Sequence, residues 1–133
     1  MKAFTSLEQS KKIAEILPIE SADMYYAGHQ SIINPKEWEY GDTPKIRGKY
    51  ISFDDKRIFY PCWSLSALLE EIPEIINFDD ESDYALEMLK ENNLYYLSYG
   101  NPLEHSKIEI EPQEYFVDAC VDMIDKLHEL KML

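Results

Sequence analysis

Three histidines, two cysteines and twenty-six acidic side chains are the residues of this 133-residue chain most able to do chemistry. His29, His105 and His128 stand alone, with no HExxH and no paired Cys/His spacing to bring ligands onto one helix face or turn, as a zinc site needs. Cys62 and Cys120 form no CxxC pair and have no recognisable histidine partner, so each reads as a small buried hydrophobe. Ser64 and Ser66 lack the G-x-S-x-G elbow of a nucleophilic serine, and the glycines at 28, 41, 48 and 100 are too scattered to cradle a phosphate. The run Asp79-x-Glu81-x-Asp83 begins like a calcium loop, but Tyr84 stands where that loop needs glycine and Lys90 where it needs a closing glutamate. No catalytic residue, metal or cofactor is assigned. So many carboxylates guarantee chance pairs, which leaves a small hydrolase using a carboxylate pair as one reading.

Two features rise above this background. The first is charge: residues 1–60 carry nine Lys/Arg and nine Asp/Glu, whereas residues 61–133 carry four and seventeen, so the whole net charge of −13 sits in the second part. Such a field opposes direct contact with nucleic-acid phosphates and anionic membranes and favours a protein partner with a basic surface. Its candidate contacts are Asp79, Asp80, Glu81 and Asp83 in one run, and Asp118, Asp122 and Asp125 along a helix, an array that could also act as a nucleic-acid mimic. The second feature is aromatic. Ten tyrosines and two tryptophans, including Tyr95 and Tyr96, supply the amphipathic area that is enriched at interfaces.

The elements that must position these residues are legible from caps and periodicity. Either Thr5-x-x-Glu8 or Ser6-x-x-Gln9 can box the start of a helix that runs to about Leu17 and stops before Pro18. Residues 21–27 read as a short edge strand and 28–48 as a long loop punctuated by Asn34-Pro35, Gly41-Asp42 and Pro44. Tyr50–Phe53 and Arg57–Tyr60 flank a polar turn and read as a hairpin ended by Pro61. Ser64 should cap a helix over Leu65–Ile72. Phe78–Asp83 reads as an acidic loop. Tyr84–Lys90 fits helix or strand, but with the Asn92-Asn93 turn and the strand-like Leu94–Tyr99 a second hairpin is the better reading. Lys107–Glu111 reads as a short strand, and Pro112 suits the first position of a final helix whose stripe includes Phe116, Cys120, Met123, Ile124 and Leu127. The sum is a small single α+β domain over residues 1–133, with two β-hairpins forming an antiparallel sheet packed by N-terminal, central and C-terminal helices. No apolar run reaches membrane-span length and no signal-peptide core follows Met1, so a cytoplasmic protein is expected.

Three segments, LEQSKKIAEILPIESADMY over 7–25, PCWSLSALLEEIP over 61–73 and DACVDMIDKLHEL over 118–130, resemble blocks of small uncharacterised proteins from gut-bacterial genomes, prophages and phages. The resemblance carries no catalytic residues. It implies a mobile-element setting, and with it an accessory or inhibitor protein acting by protein binding without catalysis.

Overall fold

Of the two possible capping boxes the chain uses Ser6-x-x-Gln9: Ser6 Oγ accepts from Gln9 N–H and Gln9 Oε1 accepts from Ser6 N–H. This starts helix α1 (Leu7–Ala14), and a further turn in which Leu17 N–H reaches Ile13 O carries the chain to the expected stop before Pro18. In this computed structural model residues 2–77, 82–102 and 108–133 are described. They form three helices and two four-stranded antiparallel sheets, an α+β architecture.

The first sheet is built around β1 (Met24–Gln30), which pairs with β2 (Trp38–Tyr40), β3 (Lys45–Ile46) and β4 (Phe59–Cys62). Three expectations are corrected here. The segment read as an edge strand is the hub of the sheet. The segment 28–48, read as loop, supplies the end of β1 and two of its partners. Tyr50–Phe53 is not a strand, and β4 pairs with β1 in place of the expected hairpin. The cause is Arg47: its Nε donates to Ile51 O at 3.2 Å, its Nη1 donates to Ala22 O at 3.3 Å, and its guanidinium lies 4.5 Å from the centre of the Phe53 ring. Asp55 then forms a turn, accepting from Arg57 through main chain and side chain, and aims β4 at β1. Pro61 does not end the strand. Gly28 N–H donates to Ile58 O, so alternation places Pro61, opposite Tyr25, at a site whose missing N–H points away from β1.

The second sheet runs β5 (Ile75–Asn77), β6 (Asp83–Glu91), β7 (Leu94–Gly100) and β8 (Ile108–Glu109), so the two hairpins expected in one sheet are replaced by two sheets, of which only this one contains an expected hairpin. β6 and β7 are joined by Asn92 and Asn93 at φ 54° and 62°, the left-handed pair a type I′ turn requires and asparagine tolerates. Asn93→Ala should cost about 1 kcal/mol and Asn93→Gly none, readable as shifts in urea midpoint, because alanine carries the left-handed penalty that glycine escapes. An alanine variant as stable as the glycine variant would show that the turn can change type at no cost.

Ser64 caps α2 (Leu65–Glu71) as expected, accepting from Ala67 N–H, and Asp23 holds Ser64 through both its N–H and its hydroxyl. Helix α3 spans Phe116–Glu129, so Pro112 is not its first residue. Tyr95 and Gln113 exchange both main-chain hydrogen bonds, at 2.7 and 3.1 Å, which holds Gln113 extended and delays the helix. α3 buries Val117, Cys120, Met123, Ile124 and Leu127 against a core that also contains Ile13, Trp63, Leu68, Tyr84, Leu97 and Tyr99. One core therefore joins α1, α2, α3 and the second sheet. No helix among the described residues is long and apolar enough to cross a membrane.

Candidate partner-binding surface

The two cysteine thiols are held in structural roles. Cys62 and Cys120 are buried and free; burial pushes the Cys120 thiol up to about 12 and raises that of Cys62 as well, so both stay protonated at neutral pH. Cys62 Sγ lies 3.4 Å from Thr5 O inside a polar knot in which Thr5 Oγ1 also accepts from Trp63 N–H. His29 is exposed beside Glu39, and His128 Nδ1 lies 3.1 Å from Leu133 O. Among the described residues no three His, Cys, Asp or Glu side chains come together as metal ligands.

The acidic candidates divide. Asp79, Asp80 and Glu81 lie outside the described residues, as does His105. Asp83 is the exposed first residue of β6, opposite Asn77. On α3, Asp118 accepts from Lys2 Nζ at 2.5 Å and from Gln9 Nε2 at 2.7 Å, and Asp125 pairs with Lys12 at 3.1 Å. Asp122 accepts from Gln113 Nε2 at 2.6 Å. The array read from the sequence as a free anionic face is thus substantially engaged by the chain's own N-terminal lysines and two glutamines. What remains is an open depression of about 280 Å³ where Asp122 and Asp125 meet Glu109, Glu111, Lys126 and Glu129. The two β8-side glutamates escaped the sequence reading because only the fold brings them to α3.

Partial burial raises the Asp122 carboxyl above its usual range, the Gln113 bond and Lys12 opposing this and Asp118 and Asp125 adding to it. A carboxyl raised in the folded state binds protons there that the unfolded chain has released. Its ionised form therefore opposes folding, and that penalty fades as pH falls through the raised value. Asp122→Asn keeps an acceptor for Gln113 and removes the charge. It should melt higher than the parent at pH 7, with the gap closing near about pH 3, where both side chains are neutral. A variant that melts lower at pH 7 would show that the Lys12 attraction outweighs desolvation.

The aromatic candidates sit away from that array, near the tip of the β6–β7 hairpin. Adjacent side chains of a strand face opposite ways, so Tyr95 and Tyr96 lie on opposite faces of β7. Tyr95 turns toward α3, its ring 5.0 Å from that of Phe116 and 5.2 Å from Lys90 Nζ. Tyr96 is opposite Leu89 on the outer face. Met88 and Leu89 are 55% and 57% exposed, and with Tyr95, Tyr96, Leu97 and Phe116 they line a groove of about 210 Å³ around the hairpin tip. Met88 and Leu89 were not singled out from the sequence, because only the fold leaves them exposed. A second exposed apolar pair, Ile32 and Ile33, stands in the β1–β2 connection. Comparison with protein-family models, curated proteins and solved structures gives no match.

Proposed function

We propose that this chain is a protein-binding accessory without catalytic activity, and that its partner seats on the β6–β7 hairpin. The observation that carries the reading is the groove of Met88, Leu89, Lys90, Tyr95, Tyr96 and Phe116 on the β6–β7 hairpin, with Met88 and Leu89 exposed, while the α3 carboxylates are largely engaged within the chain. Aromatic and methionine side chains in a partly covered groove are the usual anchors of protein recognition. The likeness to phage and prophage proteins supports a mobile-element setting for it. Tagged protein should capture a partner from bacterial lysate, and Met88→Asp with Tyr95→Ala should abolish capture while Ile32→Ser with Ile33→Ser leaves it intact. A protein that retains no partner but turns over a substrate in a broad hydrolase screen would overturn the reading.

The depression of Glu109, Glu111, Asp122, Asp125 and Glu129 favours a second reading, in which a cationic protein site engages this face in the manner of a nucleic-acid mimic. Its signature is different. Capture would then fall steeply between low and physiological salt and would be lost on reversing Glu111 and Glu129 to lysine, with the Met88 and Tyr95 substitutions silent.

A further inference from the structure

β6 is longer than the strand beside it. β5 pairs only with Asp83–Ala85, and its last contact is Leu86 N–H donating to Glu74 O. That bond also fixes the direction of the even-numbered residues: their N–H and C=O groups point to the β5 side, and the odd-numbered ones point to β7. Beyond Leu86, the main-chain groups of Met88 and Lys90 therefore face outward along an edge that, among the described residues, no strand covers.

We propose that this edge receives an extended segment of a partner protein as an added strand, with apolar side chains on one face and basic side chains on the other. The inference rests on the protein-binding reading above and names the mode and chemistry of that contact. The edge offers two donors and two acceptors in the alternation an antiparallel strand needs. Side chains of an added strand would alternate between two environments. On the inner face they would meet Met88 and, beyond it, Tyr95 and Phe116, with Lys90 beside them turned over the Tyr95 ring, its Nζ 5.2 Å from the ring centre. On the outer face they would meet Glu87 and Glu91, which flank Leu89 and are exposed. This pattern selects apolar residues inside and lysine or arginine outside.

A second copy fits less well. Glu74 already occupies the place opposite Leu86, and Asn92 leaves the strand at φ 54°, so the self-pairing that stays within Glu87–Glu91 is the one centred on Leu89. That register sets Glu87 opposite Glu91 twice, in a chain with a net charge of −13. Like charges directly opposed destabilise a strand pair.

The test uses the full chain and a capped peptide of about six alternating lysine and valine residues, the common length of a strand. NMR titration should show binding with slowed hydrogen exchange at the Met88 and Lys90 amides, and the matching glutamate–valine peptide should not bind. Met88→Pro removes an edge donor without changing charge and should weaken binding about tenfold or more. Lysine–valine peptide N-methylated on its β6-facing residues should lose affinity equally, which settles the point if the proline variant misfolds. The proposal is overturned by no binding, by binding indifferent to N-methylation, by Met88 and Lys90 amides that stay unprotected, or by equal binding of the glutamate peptide. It is overturned too if the free chain sediments as a dimer with those amides already protected. Capture from lysate that survives Met88→Pro would refute strand addition and leave the protein-binding reading standing.

Discussion

Trp63→Ala should remove about 4 kcal/mol of stability, the range found when a fully buried large aromatic is truncated and a cavity is left. Trp63 is completely buried at the junction of β4 and α2, and it is tied to two other parts of the chain at once. Its indole N–H donates to Ser21 Oγ at 2.8 Å, its main-chain N–H to Thr5 Oγ1, and its carbonyl accepts from Thr5 N–H at 2.9 Å. The main-chain bonds survive substitution, so the loss comes from the ring: its contacts with the core and the hydrogen bond to Ser21. Domains of this size have about 5–15 kcal/mol in hand, so the variant should be close to unfolding at 37 °C. Trp63→Phe refills most of the volume and should recover more than half of the deficit. Urea unfolding followed by far-ultraviolet circular dichroism measures both. Parent fluorescence should contain a blue-shifted component that disappears with Trp63 and leaves the half-buried Trp38. An unchanged urea midpoint in the alanine variant would mean that the core closes over the gap, and would remove Trp63 from the framework.

What the sequence discloses about this fold follows from the range of the interactions involved. The helices were legible because their signals are local: Ser6 with Gln9, Ser64 before Leu65, and the stripe from Phe116 to Leu127 each lie at or within one element. The β6–β7 hairpin was legible for the same reason, since two asparagines with left-handed backbones make a turn wherever they are placed. The first sheet was not. β2 and β3 are three and two residues long, too short to show alternation, and they exist through pairing with β1. Strand-like composition in Tyr50–Phe53 and Arg57–Tyr60 reflected aromatic and β-branched content, which favours strands but does not name a partner. Arg47, from outside both segments, decided against their pairing.

The candidate surface divides in the same way. Tyr95 and Tyr96 were identifiable as amphipathic residues on a strand. The free edge beside them was not, because it results from β5 ending three residues into β6. Counting carboxylates along α3 gave the sign of its field but overstated it, since the compensating Lys2 and Lys12 come from the far end of the chain. Exposed main chain and apolar side chains, more than charge, therefore mark the surface from which a partner would gain most.

Gly28→Ala should destabilise the first sheet by about 3 kcal/mol, the upper part of the usual cost of forcing an extra methyl into a packed site. A β-carbon at this position would stand 1.8 Å from the carbonyl oxygen of Arg57 and 2.9 Å from its carbonyl carbon, with the Tyr40 ring at 3.1 Å. The obstruction is main chain, so no side-chain rotation relieves it. Either β1 moves away from the start of β4 or the turn ahead of Ile58 opens, and each threatens the 2.7 Å bond from Gly28 N–H to Ile58 O. Tyr40, whose hydroxyl donates to Lys56 O, limits retreat on the β2 side. The reason for glycine here is close approach of two strands, since its φ is not positive. Gly41 and Gly48 supply the contrast: a β-carbon at either would meet nothing within 4 Å. Alanine there should be neutral or stabilise by about 0.5 kcal/mol through a less disordered unfolded chain. Urea midpoints of the three variants should thus separate Gly28 from the other two, with amide-exchange protection lost first in Tyr26 and Gly28. If Gly28→Ala unfolds with Gly41→Ala, then β1 and β4 are not held at the separation on which the first sheet depends, and the hub role of β1 fails.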